Sequence, residues 1–223
     1  MNMGTQIDHW RYSIASLRSA IRSGTVRELA EKASLSSPRS VERLRRHDTS
    51  IRTDKGSSTL TAVDTSGRKL RYNSPVSRQD PLVYDWRNRV SRLHTPPSHQ
   101  EQLLILLPCS ATKPYRLSQS HHRFIRNIPS NRAHQMMITS PLGLVPRELE
   151  DLWPAAHYDI PVTGDWDADE LEMVNSMISD VCERVGYSEI INHSGMDVSI
   201  EGIACHNTRR GTAGSKESLD ELR

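Results

Sequence analysis

The stretch from Pro108 to His121 reads Pro-Cys-Ser-Ala-Thr-Lys-Pro-Tyr-Arg-Leu-Ser-Gln-Ser-His, placing a thiol, an ammonium, a phenol, hydroxyls and an imidazole close together in the chain. A thiolate is a strong nucleophile, and a nearby cation or a helix N-terminus lowers the pKa of its thiol. Cys109 has Lys113 four residues on, and Ser118 reads as the N-cap of a helix over Gln119–Asn127. Pro114 disfavours the α region at Lys113, so Lys113 and Tyr115 are expected on a loop that can face the thiol. His121 falls on the first helical turn, where it could exchange protons with the thiol or a substrate. Cys with Lys, Tyr and His nearby fits covalent catalysis on an electrophilic carbon. Taken alone, however, a Cys after a buried strand is more often a small core hydrophobe.

The elements around this stretch fit a ligand site. Leu103-Leu104-Ile105-Leu106-Leu107 leads directly into Pro108, and a short apolar run of this kind is how a strand buried on both faces reads. In open α/β sheets the loops at the carboxyl ends of strands hold the ligand. His134 to Thr139 forms a second expected strand, followed at the same edge by the loop Ser140-Pro141-Leu142-Gly143. That makes Ser140 a candidate substrate contact. Pro146 opens a short helix to Leu152, and His157–Val162 reads as a third strand, at an edge because Pro161 cannot donate to a ladder. Asp167 and Glu170 have the form of a capping box before a helix carrying Leu171, Val174, Ile178, Val181 and Val185, closed by Gly186. Glu189–Asn192 and Val198–Ala204 complete the strands. Alternation of strands and helices predicts an α/β domain over 99–206: three layers, a parallel or mixed sheet flanked by helices. A similarity to the uracil-DNA-glycosylase-like fold is expected.

Residues 1–46 read as a small helical segment, with Trp10, Ile14, Leu17 and Ile21 facing inward from the first helix. Gly24 closes that helix, Thr25-Val26-Arg27-Glu28 has the form of a capping box, and Ser37-Pro38 starts a third helix. Residues 47–98 read as a linker with a short hairpin, its strand at Leu60–Asp64 and its turn at Ser66-Gly67, and then a helix from Pro81 to Leu93. Pro96-Pro97 marks the start of the main domain. The polar tail, 207–223, is expected to be disordered.

Composition narrows the function classes. With 35% hydrophobic residues, 5% aromatic residues and a single Phe, the core is aliphatic. No apolar run approaches the ~20 residues of a membrane span, and the N-terminus lacks the basic and apolar regions of a signal peptide. A cytoplasmic protein is expected. Cys109, Cys182 and Cys205 include no Cys-x2-Cys pair, so neither a disulfide framework nor a metal site is expected, and no cofactor is called for. Charge is divided: residues 1–100 carry 18 Lys and Arg against 9 Asp and Glu, net +9, and residues 101–223 carry 11 against 18, net −7. The basic half, including Arg43, Arg45 and Arg46, fits either contact with RNA or a solvated surface.

The arrangement Pro-Cys-x3-Lys-Pro-Tyr-x2-Ser-x2-His resembles the signature of archaeosine synthase, a tRNA-modifying family related to archaeal tRNA-guanine transglycosylase. Pro108, Cys109, Lys113, Pro114, Tyr115, Ser118 and His121 fill every fixed position. The segments Ile138–Glu150 and Pro154–Trp166 resemble the same family. The resemblance implies addition of an amine, with lysine as donor, to the nitrile of 7-cyano-7-deazaguanine in tRNA. On that reading Cys109 attacks the nitrile carbon to give a thioimidate, Lys113 holds the thiolate, and Tyr115 or His121 protonates the nitrile nitrogen. Ser118 orients one of these or caps the helix. Asp159 and Asp165 are candidates for gripping the ammonium of the amino-acid donor.

Ala20–Leu29 faintly resembles the helical segment that closes a transglycosylase-like region. The family's barrel, cysteine-rich zinc site and RNA-binding module have no counterpart in the sequence. A split enzyme is therefore expected, completed by a transglycosylase-like or RNA-binding partner subunit that helps hold the tRNA. Two alternatives stay open: a non-catalytic interaction subunit of such a complex, and a free-standing enzyme acting on a small nitrile or nucleobase.

Overall fold

The computed structural model describes residues 3–53, 69–128, 131–160, 162 and 164–223. The chain divides into two compact units, Met1–Asp64 and Thr65–Arg223. The expected strand at Leu60–Asp64 and turn at Ser66-Gly67 lie outside the described residues, as does Pro161.

The described residues of the first unit form three helices: α1 (Met3–Ser23), α2 (Val26–Ser34) and α3 (Pro38–Thr53). Its most deeply buried group is Asp48 on α3, which accepts from both terminal nitrogens of Arg27 on α2 at 2.5 and 3.0 Å, while Arg27 Nε donates to Glu31 at 2.8 Å. A charge this buried persists only when paired in this way. The stripe expected to face inward from α1 does not: Trp10, Ile14, Leu17 and Ile21 are exposed. Periodicity identifies an apolar face, but not what covers it. Thr25 precedes α2 without a side-chain capping bond, its hydroxyl being bonded to that of Ser23 at 2.8 Å.

The second unit is built on β2 (Leu103–Pro108). Leu104 to Leu107 are all buried, and since alternate residues of a strand point to opposite faces, both faces of the sheet are covered there. β3 (Ala133–Thr139) and β6 (Glu189–Asn192) flank β2 in parallel, with Leu106 opposite Met136 and Asn192. β7 (Ala204–Asn207) adds in parallel to β6, and β4 (Gly143–Pro146) pairs antiparallel with β3. The sheet order is β4-β3-β2-β6-β7, a mixed sheet as expected. A second sheet joins β1 (Leu70–Arg71) in parallel to β5 (Tyr158–Asp159). The segment expected as an edge strand of the main sheet is therefore part of a separate one.

The helices of this unit form two packed pairs. α4 (Pro81–Arg92) and α6 (Ala168–Val185) contact each other and β4; α5 (Gln119–Asn127) packs on α7 (Lys216–Leu222). Trp86 Nε1 donates to the Leu144 carbonyl at 3.0 Å, and Arg184 donates to the carbonyls of Val90 and Ser91, fixing α4 against β4 and α6. The expected capping box of α6 is present, with the Asp167 side chain accepting from Glu170 N at 2.9 Å and Glu170 returning to Asp167 N at 3.1 Å. Gly186 ends α6 in the left-handed region. No helix among the described residues is long and apolar enough to cross a membrane.

Three elements differ from expectation. Residues 69–98 belong to the α/β unit, because β1 pairs with β5 and α4 packs on α6, and the division of the chain falls at Asp64/Thr65. The final strand is Ala204–Asn207 and not Val198–Ala204, since a left-handed Gly202 turns the chain just before the ladder with β6 begins. The tail is ordered: Ser215 caps α7, the Ser218 hydroxyl ties back to Arg210, and Leu222 is buried.

Two substitutions test this packing. Asp167→Ala removes the α6 cap and is expected to lower unfolding free energy by about 1 kcal/mol. Gly143→Ala is expected to be more damaging, because Gly143 has φ +77° and an added Cβ would lie 2.2 Å from the Met177 sulfur. Urea unfolding of both variants measures the order; equal losses would contradict this account of Gly143.

Candidate active site

A cleft of about 790 Å³ opens where the parallel strands end. Its walls come from Cys109 after β2, Thr139 and Ser140 at the end of β3, Ser194–Met196 after β6 and Arg209 after β7, closed by Trp166 and Glu170 near the start of α6. This is the edge at which parallel α/β sheets bind ligands.

Cys109 is half-buried, and burial pushes its thiol above the ordinary value; Lys113 and a hydrogen bond from Thr139 act against that shift without overcoming it. The lowered thiol expected from the Lys113 spacing is absent because desolvation is the larger effect. Lys113 shows the complementary behaviour. Its ammonium nitrogen is buried, has no hydrogen-bond acceptor among the described residues, and lies 4.2 Å from the centre of the Tyr158 ring. Burial pulls its pKa down, opposed by Cys109 and Asp159. Both shifts favour the neutral pair of thiol and amine.

Tyr115 is buried, and its hydroxyl meets that of Tyr158 at 2.5 Å; Tyr158 meets Thr139 Oγ1 at 2.5 Å, and Thr139 reaches Cys109. Burial pushes both phenols above their ordinary values, so they stay protonated. Each hydroxyl can therefore donate one step along the chain Tyr115, Tyr158, Thr139, ending on the Cys109 sulfur. Tyr158 and Thr139 were not visible as chemistry in the sequence, where both read as strand residues. Only the pairing of β5 outside the main sheet brings Tyr158 over Lys113.

The remaining candidates separate. Ser118 caps α5, accepting from His121 N at 3.2 Å. His121 is buried behind Tyr115, its ring 5.2 Å from the Tyr115 and Phe124 rings, and it is not part of the cleft wall. Arg147 donates to its Nδ1 at 3.0 Å. Burial and the Arg147 charge lower its pKa to about 3, so at neutral pH it is uncharged, with the proton on Nε2. Ser140 lines the cleft and donates its hydroxyl to Glu170, which is also held by Arg78 at 3.4 Å. Asp165 lines the cleft as well, while Asp159 is exposed and acts on Lys113 only through its charge. On the opposite wall Arg209 donates to the Ser194 carbonyl at 2.6 Å. Gly195 there has φ +86° and leaves room for the Arg209 guanidinium, which an added Cβ would meet at 2.1 Å.

Fold and site together define an α/β domain with a thiol-centred cleft at the carboxyl ends of its parallel strands. The chain belongs to the family described as a domain of unknown function, DUF5591, which it matches over residues 83–223. It is similar to the archaeosine synthase subunit alpha of Thermoplasma acidophilum, 38% identical over 177 residues that cover 78% of this chain and 33% of the relative. The archaeosine synthase of Haloferax volcanii is 51% identical over 90 residues, 40% of this chain and 15% of that one. A tRNA-guanine(15) transglycosylase of Methanobrevibacter smithii aligns with 93% of this chain and 30% of its own length at 24% identity. The chain thus spans no more than about a third of these curated relatives.

The state of His121 has a consequence for stability. Its folded pKa of about 3 lies below the ordinary 6.5, so between those values the unfolded chain binds more protons than the folded one. Its contribution is present above about pH 6.5 and is lost as pH falls toward 3. His121→Phe is expected to flatten the acid limb of a stability–pH curve by about one proton. The rest of the slope remains with other groups such as His193, whose pKa burial also lowers. An unchanged acid slope in the variant would show that His121 does not titrate this way.

Proposed function

We propose that this domain carries the thiol chemistry of archaeosine formation, adding an amine across the nitrile of 7-cyano-7-deazaguanine in tRNA. The observation that carries the reading is the Cys109 thiol at the cleft, paired with a buried Lys113 nitrogen that lacks an acceptor and with a hydroxyl chain ending on the sulfur. Lys113 exchanges protons with both reacting groups: it gives one to the nitrile nitrogen and takes the one the thiol loses as sulfur attacks the nitrile carbon. The product is a thioimidate. The donor amine then adds to that carbon, the C–S bond breaks, and the leaving thiolate regains a proton, leaving an amidine. Thr139, held by Tyr158 and Tyr115, stabilises sulfur while it is anionic. Trp166 offers a face on which the base can stack.

Asp165 and Glu170 at the cleft fit the ammonium group of an amino-acid donor such as lysine, with Ser140 held against Glu170. The "subunit alpha" in the name of the Thermoplasma acidophilum relative supports a chain that works with a transglycosylase-like or RNA-binding partner in holding tRNA, in the cytoplasm where tRNA is modified. The raised thiol pKa favours one second reading, a chain whose thiol becomes reactive only in such a complex.

Intact-protein mass spectrometry after incubation with tRNA carrying 7-cyano-7-deazaguanine, followed by nuclease digestion, tests this. A covalent adduct on the wild type that is absent in Cys109→Ala is the expected result. Adduct only after adding a transglycosylase-like partner supports the second reading. No adduct with tRNA or free base, with or without the partner, overturns both.

A further inference from the structure

At the other end of β3, His94, His134 and Glu148 converge from three separate segments. His94 follows α4, His134 is the second residue of β3, and Glu148 lies in the short 3-10 helix Arg147–Leu149 after β4. Glu148 Oε1 is 2.8 Å from His94 Nε2 and 3.1 Å from His134 Nε2, and the three ligand atoms all lie within 4.8 Å of one another. The two imidazoles are tilted by 42° with ring centres 5.7 Å apart, an arrangement that lets both Nε2 atoms point to one spot.

We propose that His94, His134 and Glu148 form a zinc site that fastens the segment after α4 and the 3-10 helix to the start of β3. The donor set is two imidazoles and one carboxylate, which suits zinc and disfavours magnesium or calcium. Zinc bonds of about 2.0–2.2 Å in tetrahedral geometry place donors about 3.3–3.5 Å apart, so the 3.1 Å contact needs to open by about 0.2–0.4 Å and the 2.8 Å contact by about 0.5–0.7 Å. The exposed carboxylate of Glu148 and the partly exposed ring of His94 can make that adjustment; their side chains are 30% and 12% accessible. The same exposure leaves a path for the metal and room for water as a fourth ligand.

His134 is fully buried, and its second nitrogen, Nδ1, is bonded to the hydroxyl of Tyr187. A ligating histidine commonly has its other ring nitrogen bonded in this way, which fixes the ring and presents Nε2 to the metal. The site lies at the amino-terminal end of β3, whereas Cys109 follows the strand residue paired with Ile138 at the other end. Five residues of strand separate His134 from Thr139, roughly 17 Å. The site therefore stands apart from the thiol cleft.

The full chain, stripped with a chelator, is titrated with Zn²⁺ against a chromophoric chelator and with Co²⁺ by visible absorption. One metal per chain is expected, with a Co²⁺ spectrum of low coordination number and a thermal midpoint raised by Zn²⁺. His94→Ala and Glu148→Gln should each weaken binding at least tenfold, and Tyr187→Phe by about tenfold. Glu148→Gln keeps the side chain's shape, and circular dichroism confirms that each variant is folded. A Cys205→Ser chain should bind as the wild type does, excluding the adjacent Cys205 and His206. Absence of metal uptake by the wild type overturns the proposal. So does undiminished affinity in both folded variants, His94→Ala and Glu148→Gln, which would leave these residues as a hydrogen-bonded triad alone.

Discussion

The Lys113 nitrogen is buried with no hydrogen-bond acceptor among the described residues, and the balance of charge beside Cys109 depends on that burial. In water the ordinary pKa values of a thiol and an amine favour the pair of thiolate and ammonium over the neutral pair by about two pKa units. On burial both charged forms lose hydration, and desolvation dominates both shifts: the thiol is pushed up and the amine pulled down. Burial therefore moves both groups toward their neutral forms. The aromatic face of Tyr158 supports Lys113 in its cationic form.

The geometry depends on β2 being the middle strand. With β3 and β6 parallel on either side, the loops after all three open at one edge, and residues distant in the chain meet there: Cys109, Thr139 and Ser194. β4 is the antiparallel exception. Its return from the β3 end sends the chain through Leu149 and Trp153 to β5, which seats Tyr158 beneath the Cys109 loop by pairing with Leu70 and Arg71. The separate two-stranded sheet thus shapes the surroundings of the Cys109 loop, since it places Tyr158 against Lys113 and Tyr115.

Much of this was legible from the sequence, for identifiable reasons. β2 was readable because five consecutive aliphatic residues can only be satisfied by burial on both faces, and α6 because Asp167, Glu170 and Gly186 mark its two ends. Ser118 as a cap was equally plain. Shorter elements were not: β4, β1 and α7 span four, two and seven residues, too few for a period to show. The site was only half legible. Spacing grouped Cys109, Lys113, Tyr115 and His121, but could not tell that one turn of helix turns His121 inward onto Arg147 and away from the cleft. Nor could it weigh the attraction of Lys113 against burial, because burial is a property of the packed fold. The same limit hid His94, His134 and Glu148, which have no local spacing in common and meet only through the sheet.

The two ends of β3 show how one strand serves different chemistry. At its start, His134 is locked by polar partners on both nitrogens, Tyr187 on one side and Glu148 on the other, so its ring has no freedom to act on a substrate. At its end, Thr139 has a hydroxyl with three neighbours, Cys109, Tyr158 and the Ser140 carbonyl, and only one proton to give. A group with more acceptors than protons can redirect its bond as charge develops, which is what a developing thiolate requires. The rigid end fixes the sheet and the adjustable end faces the cleft. That division follows from the parallel strands, whose carboxyl ends open into loops while their amino ends are tied to the helices that precede them.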